Sequence, residues 1–507
     1  MFVLEQIKKY AGTDRIALQN RGECLSFAGL DARSEAFAAW LLERFGEDRV
    51  PVIIYGHKET DFLSCIYGAL KAGRAYVPVD FSTPPGRVGE IIADIGPSVI
   101  VDFSGEIGAD AAVLNKERLE GILQEAPDTA VPQDAWVTGD DAAYILFTSG
   151  STGRPKGVPI TGNNLTNFYK GLLPYMGEED GGFILNQVSY SFDVSGCSLY
   201  AGLSRGMALF TIDKEMTENL GTLFQWLKKS GLTMWVSTPS FAEICVQSGS
   251  FSSELMPFLH SFLFCGEVLT HKLCDQLAER FPRARVVNTY GPTEATVLVT
   301  AVQITEKMRR DSLPIPIGCP LEEVDLRVVD DQGRIVAQDE ERGELLILSD
   351  SVGPGYHQRP DLTAERFFED SAAGKRGYRT GDICYRKDGL YYYQGRADNQ
   401  LKLNGFRIEL EDVENNLMKL ENISRAAVVP VWENERVQYL AAFLLLEQED
   451  GLTPLKRSIQ IKKQAAACIP AYMIPRKLIV VDSFPLNTNG KIDKKELAER
   501  LRGAGTS

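Results

Sequence analysis

The chain has 507 residues, 44% of them hydrophobic and 24% charged, with a formal net charge of −15. That length is too great for one core and suits about two to four domains, and the apolar share excludes wholesale disorder. An acidic chain is also a poor partner for nucleic acid, which binds basic surfaces. The start, MFVLEQIKKYAG, lacks the long apolar run of a signal peptide. No stretch approaches the ~18 uninterrupted apolar residues of a membrane span, so a cytoplasmic enzyme without a membrane partner is expected. PVIIYG (51–56) reads as a strand, ETDFLSCIYGALKAG (59–73) as a helix stopped by Gly73, and AYVPVD (75–80) as the next strand. PPGRVGEIIADIG and SVIVD repeat the theme, and YILFT (144–148) is a further strand. TMWVST (233–238), SFLFCG (261–266) and VVNTYG (286–291) are apolar runs separated by the helix-like FAEICVQ and THKLCDQLAERFP.

This alternation predicts an α/β fold with parallel-rich sheets flanked by helices. Ligands bind beyond the carboxyl ends of the strands in such sheets, so Ser237, Cys265, Gly266 and Tyr290 are expected around one crevice. Past residue 340 the texture changes to Gly-rich turns and short strands (GELLILSD, GLYYYQGR). GRADNQLKLNGFRIE follows, with Asn404-Gly405 as a turn signal, then a helix, two strands, another helix and the polar loop PLNTNGKIDKKEL. The expected organisation is a large domain over residues 1–397 and a small α+β domain over 398–507.

Nine scattered cysteines without a C-x-x-C pair suggest reduced thiols. The four histidines stand at no metal-ligand spacing, which argues against a zinc site or a His-driven triad.

Four motifs carry chemistry. TSGSTGRPKG (148–157) combines glycines, which let backbone N–H groups approach an anion, with the hydroxyls of Thr148, Ser149, Ser151 and Thr152 and the cation Lys156. It departs from the usual P-loop at Pro155 and Gly157, and its bland reading is a flexible turn. In NTYGPTEAT (288–296), Tyr290 can stack on a base, the Asn288 amide oxygen can accept from an amino edge, and Glu294 offers hard oxygens for Mg²⁺. The bland reading there is a strand end turning into a helix capped by Thr293. In YRTGD (378–382) and GRAD (395–398), Asp382 can accept both ribose hydroxyls with help from Arg396, or the segment is a turn with a surface ion pair of little worth. In NTNGKID (487–493), Lys491 stands in a polar loop, where most lysines are merely solvated.

The ordered series YILFTSGSTGRPKG, SFDVS, NTYGPTEAT, YRTGD, GRADNQLKLNGFRIE and NTNGKID strongly resembles the adenylate-forming enzyme superfamily, in its amino-acid-activating branch. Within it, NQVSYSFDVS, STPSFAEIC and FLFCGEVL resemble the ligases that load D-alanine onto a carrier protein for teichoic acid decoration. The resemblance implies two half-reactions: a carboxylate attacks the α-phosphate of ATP, then a phosphopantetheine thiol takes the acyl group and AMP leaves. It implies that Thr148, Ser149, Gly150, Ser151, Thr152, Gly153 and Lys156 grip the β- and γ-phosphates. Gly266, Glu267, Thr289 and Gly291 complete the nucleotide site. Tyr290 stacks on adenine, Asn288 meets its amino group, and Asp382 with Arg396 holds the ribose. Glu294 binds Mg²⁺, Thr293 contacts the α-phosphate, and Lys491 bridges it to the substrate carboxylate.

By the same resemblance Asp193 pairs with the substrate ammonium, although the residues alone also allow a helix N-cap. Val194, Cys197, Ser237, Leu263, Cys265, Thr289, Val297 and Leu298 line a small, mostly apolar pocket. The family pattern has bulkier apolar residues where Gly196-Cys197-Ser198 stand and a smaller one at Leu298, so L-proline, L-alanine, glycine or serine, activated by a stand-alone enzyme of secondary metabolism, is the alternative to D-alanine. The small domain is expected to hinge at Asp398, with Leu403–Gly405 replacing Lys491 in the second half-reaction. The carrier protein is expected in trans, with KIDKK and Lys456–Gln464 as candidate docking segments, the latter read first as a solvated helix face, and the enzyme is expected to be a monomer. Three other classes stand behind this one: a thiol nucleophile at Cys197 or Cys265, which lacks a base among the motifs; a non-catalytic adenylate binder; and an acyl-CoA synthetase, which would not need Asp193.

Overall fold

The structure is a computed structural model that describes every residue except 1, 108–112, 126, 128–129, 151–152, 178–180, 337, 398–399, 434–435, 450, 486–491 and 504–507. By contact density the chain forms two compact units: Met1–Phe81, Ile95–Leu146 and Gly157–Ala397 make the first, and Ser82–Asp94, Phe147–Lys156 and Asp398–Ser507 the second.

The first unit is built on parallel pairing. The runs expected as strands appear as Val52–Gly56, Tyr76–Asp80, Leu232–Ser237, Ser261–Phe264 and Arg285–Tyr290. The helix between the first two spans Thr60–Lys71. Its chain reverses at Gly73, whose φ of 73° lies in the left-handed region that glycine alone adopts freely. A nine-stranded sheet runs in the order Cys319–Pro320, Thr300–Gln303, Arg285–Tyr290, Ser261–Phe264, Leu232–Ser237, Phe183–Asn186, Ala208–Thr211, Ile16–Asn20 and Glu23–Ser26. Its central pairs are parallel and only its flanks are antiparallel. A six-stranded sheet runs Val113–Asn115, Val99–Asp102, Val52–Gly56, Tyr76–Asp80, Ala142–Thr148 and Lys156–Thr161.

Alternation along the strands decides what each face buries. Met234, Val236, Leu263 and Val287 join Ile54, Tyr76 and Leu146 in one core shared by both sheets. Trp235, Phe262, Phe264 and Val286 face the opposite way, onto the helices His271–Arg280, Pro239–Val246 and Leu220–Lys229. A third, antiparallel sheet holds Val324–Val329, Gly343–Ser349, Lys375–Lys387 and Phe367–Asp370, with Leu390–Arg396 paired to Lys375–Lys387. YRTGD therefore lies inside a long strand rather than in a turn.

The second unit has its own core, from Leu401 to Met473. It contains the hairpin Gln400–Leu403 and Phe406–Glu409, closed by Asn404 and Gly405 at positive φ, and a three-stranded sheet of Ile423–Glu433, Arg436–Leu446 and Lys477–Val480. No helix among the described residues is long and apolar enough to cross a membrane.

Candidate functional site

Three parallel strands of the first unit end side by side, with Ser237 opposite Phe264 and Phe264 opposite Asn288. The segments that follow these ends, and a turn that follows Phe183–Asn186, supply most of the expected side chains.

The nucleotide candidates assemble at the end of Arg285–Tyr290. Tyr290 donates its hydroxyl to Asp382 Oδ2. Arg396 Nη1 lies 2.7 Å from Asp382 Oδ1, because Asp382 and Arg396 are direct cross-strand partners. Both side chains of this ion pair are nearly buried, so it is not the solvated surface pair of the bland reading. Thr380 supports it twice: its Oγ1 accepts from Asp382 N at 2.9 Å and its carbonyl from Arg396 Nη2 at 2.9 Å. Burial, and then the Asp382 charge, push the Tyr290 phenol well above its ordinary range and keep it a neutral donor.

Asn288 is 3% exposed. Its Nδ2 donates to Pro316 O at 2.8 Å, which assigns the amide orientation, since only the NH₂ can donate to a carbonyl. That leaves Oδ1 buried with no partner among the described residues. A desolvated acceptor costs about 1–3 kcal/mol until a donor reaches it, and an exocyclic amino group is such a donor.

Pro292 leads into a 3₁₀ turn, Thr293–Ala295. Thr293 does not cap a helix there: its hydroxyl donates to Asp193 Oδ2 at 2.7 Å. Asp193 itself opens a short 3₁₀ turn whose N-cap is Phe192, so its carboxylate is not an N-cap either. Glu294 is fully buried, and its Oε1 accepts from Tyr356 at 2.8 Å. Among the described residues no group of three or more His, Cys, Asp or Glu side chains is placed to hold a metal. A hard cation of the Mg²⁺ type can take one protein carboxylate and complete its shell with phosphate and water, and Glu294 is the carboxylate expected for that part.

Gly291 is required by space. A Cβ there would stand 2.5 Å from Leu298 Cα and 2.7 Å from Val297 O. Thr296 and Val297 follow at φ 58° and 69°, an arrangement that costs β-branched residues on the order of 1–3 kcal/mol each. The bond from Thr296 Oγ1 to Ser351 O, 2.6 Å, helps to hold it.

The pocket candidates divide. Val194, Cys197, Leu263, Cys265, Val297 and Leu298 lie in one core cluster, with Cys265 Sγ 3.8 Å from Val297 O. Thr289 Oγ1 donates to Phe264 O at 2.8 Å. Ser237 falls on the opposite face of its strand, with Trp235: its hydroxyl accepts from Trp235 Nε1 at 2.8 Å and donates to Thr238 O at 2.8 Å, so the structure does not bring it to the others. Cys197 opens a π-helix, Cys197–Gly202, a rare form that is frequent at functional sites. A Cβ on Gly196 would stand 3.2 Å from Val297 Cγ2, which leaves little room for the bulkier residue of the family pattern. Burial pushes the Cys197 thiol well up, against a thiolate nucleophile there. Gly266 follows Ser261–Phe264 and Cys265 directly, and Glu267 Oε2 accepts from Ser240 N at 2.9 Å at the start of Pro239–Val246.

The glycine-rich loop leaves Ala142–Thr148 and belongs by contact to the second unit. Within that unit Ser149 Oγ donates to Arg407 O at 2.9 Å and accepts from Glu409 N at 3.2 Å, and Lys156 Nζ lies 3.5 Å from Glu409 Oε1. Gly150 leaves no room for a side chain, because a Cβ would meet Arg154 O at 2.3 Å. Gly153 follows at φ 76°. Ser151, Thr152, Asp398 and Lys491 lie outside the described residues. Sequence reasoning missed Tyr356, Thr380 and Pro316; of these, only Thr380 sits inside a quoted motif.

The chain is 39% identical, over 99% of its length and 100% of the relative's, to a D-alanine–D-alanyl carrier protein ligase of Bacillus licheniformis. Its fold is shared by the Vibrio cholerae adenylation domain AlmE in complex with glycyl-adenosine-5′-phosphate (TM-score 0.82, 21% identity, 99% of this chain and 97% of that one). It is shared equally by o-succinylbenzoate CoA synthetase from Bacillus subtilis (TM-score 0.84, 18% identity, 98% of each chain), so the fold alone does not choose the acyl acceptor. The model of the AMP-binding enzymes matches residues 4–357 and that of their C-terminal domain residues 412–491, and the chain belongs to this family.

Proposed function

We propose that the chain activates a small amino acid, D-alanine, as its aminoacyl adenylate and passes it to the phosphopantetheine thiol of a separate carrier protein. One observation carries the reading: Asp193, the carboxylate for an ammonium, is hydrogen-bonded to Thr293, the hydroxyl for an α-phosphate. An ammonium site and a phosphate site one side chain apart suit an α-amino acid whose carboxylate attacks phosphorus. The full-length likeness to a D-alanine–D-alanyl carrier protein ligase supports the choice of D-alanine and of the carrier.

In the first half-reaction a substrate carboxylate oxygen bonds to the α-phosphorus, the bond to the bridging oxygen breaks, and pyrophosphate leaves with that electron pair. Asn288 Oδ1 takes the adenine amino group, Tyr290 lies against the base, and Asp382 with Arg396 holds the ribose. Ser149 and Lys156 exchange Arg407, Glu409 and their other partners for phosphate oxygens, and Lys491 lies between the two reacting anions. Glu294 would hold a Mg²⁺ ion, which would supply neutralisation of the phosphate charge. In the second half-reaction the thiol loses its proton, its sulfur bonds to the acyl carbon, and the bond to the AMP oxygen breaks. Residues 398–507 act as a mobile domain with its hinge at Asp398.

The test is amino-acid-dependent ATP–pyrophosphate exchange with D-alanine, L-alanine, glycine, L-serine and L-proline, with Lys491→Ala as control, followed by mass spectrometry of a carrier protein after incubation with the preferred acid. Preference for D-alanine and a loaded carrier are expected. Preference for another of these acids overturns the substrate and keeps the chemistry, and exchange with none of them refutes the small-amino-acid pocket.

A further inference from the structure

The segment that delivers Asp193 is held largely by residues remote from it in sequence. It leaves the strand Phe183–Asn186 and reaches Asp193 through residues 187–192. Two strands of the other sheet, Val52–Gly56 and Tyr76–Asp80, end against it. Lys58, two residues past the first of these, donates from Nζ to Asn186 Oδ1 at 2.8 Å and to Val188 O at 2.6 Å. The same ammonium stands 3.7 Å from the centroid of the Tyr190 ring. Asn186 Nδ2 passes the network on, donating to Tyr190 OH at 2.9 Å and Thr211 Oγ1 at 3.1 Å. At the end of the second strand, Asp80 Oδ2 accepts from Ser189 Oγ at 2.7 Å and meets His57 Nδ1 at 2.6 Å. Ser191 Oγ donates to Pro78 O at 3.1 Å. Residues 186, 188, 189, 190 and 191 are each held in this way, immediately before the carboxylate.

The Lys58 ammonium is an expensive way to fill space. The residue is 2% exposed, burial pushes its pKa well below the ordinary lysine range, and the charges of Asp80 and Glu59 offset this only in part. An apolar side chain there would spare that desolvation but would leave Asn186 Oδ1 and Val188 O without this donor. A buried polar network specifies one arrangement, and in this one Asn186, Val188, Ser189, Tyr190 and Ser191 each have a partner that fixes the path of residues 186–191.

We propose that Lys58, with Asp80 beside it, is a positioning group for Asp193: it holds the loop so that the carboxylate stays against Thr293 and faces the substrate ammonium. This rests on the reading of Asp193 as the ammonium partner. Lys58 touches neither substrate nor nucleotide and acts only through the loop. A misplacement of a binding group by about 1 Å costs up to about a hundredfold.

The experiment is a double-mutant cycle on the full chain, read by ATP–pyrophosphate exchange with KM measured separately for amino acid and for ATP. Lys58→Met raises the amino-acid KM between about tenfold and a hundredfold and leaves the ATP KM unchanged. In an Asp193→Asn background the same change has no further effect, because Lys58 then has nothing to position. If Lys58→Met keeps the wild-type KM while Asp193→Asn raises it, or if the two effects simply add, the proposal is overturned. If Asp193→Asn leaves the KM unchanged, it is the reading of Asp193 that fails. Where circular dichroism shows that Lys58→Met does not fold, Ser189→Ala, which removes a single tether, enters the same cycle with the same expected sense and the same overturning results.

Discussion

Replacing Asn288 with leucine separates recognition of the base from the stability of the fold. In the wild-type chain Oδ1 is buried without a partner among the described residues, and Nδ2 is spent on Pro316 O. Because the acceptor is already stripped of water, a donor that reaches it recovers the whole desolvation cost, about 1–3 kcal/mol, or roughly 5- to 150-fold in kcat/KM. The assay compares ATP with the triphosphate of purine riboside, which lacks the 6-amino group, in amino-acid-dependent pyrophosphate exchange. Wild type should prefer ATP by that factor, and Asn288→Leu should treat the two nucleotides alike. The lost bond to Pro316 O lowers the stability of the variant, but it affects both nucleotides equally and drops out of the ratio. A variant that keeps the wild-type preference refutes the assignment of Oδ1 to the base.

Glu294→Gln keeps an acceptor for Tyr356 but removes the charge; it should lower kcat by about 10²–10³ and raise the Mg²⁺ concentration needed for half-maximal exchange, as a Mg²⁺ titration reads. Gly291→Ala drives a Cβ into the backbone of Val297 and Leu298 and should destabilise the chain by about 1–3 kcal/mol or more, seen as a lower urea midpoint at constant slope. Burial pushes Tyr67, Tyr144 and Tyr200 well above the ordinary phenol value. A raised folded pKa contributes stability that is complete below the unfolded pKa of about 10 and is lost as pH rises toward the folded value. Their phenolate absorbance at high pH should therefore appear together with loss of the far-ultraviolet dichroism; a titration near pH 10 with the fold intact would contradict the burial.

Much of the site was legible before the fold because its chemistry is local. The amide, ring, hydroxyl and carboxylate proposed for base, phosphate and metal stand within the seven residues from Asn288 to Glu294, on one strand and the turn that follows it. The side-chain face of Ser237 was not legible. Period-2 alternation aligns it with Trp235 on the strand Leu232–Ser237, whereas Leu263 and Cys265 point into the other core. The burial of the Asp382–Arg396 pair was equally hidden, because it depends on a strand register formed by the third sheet.

By itself the sequence determined the alternation of strands and helices, hence parallel sheets, and the residue types that phosphate, base and ribose chemistry demand. Both are encoded within short windows, by hydrophobic period and by functional groups at close spacing. Only the tertiary structure decided that Thr293 is spent on Asp193 rather than on a helix cap, that Tyr356 braces Glu294, and that Lys58 holds the loop leading to Asp193. Lys58 and Asn186 are 128 residues apart in sequence, Thr293 and Asp193 100. Contacts of that span exist because hydrophobic burial brings two sheets onto one core, and no local pattern records which polar groups then meet where their strands end.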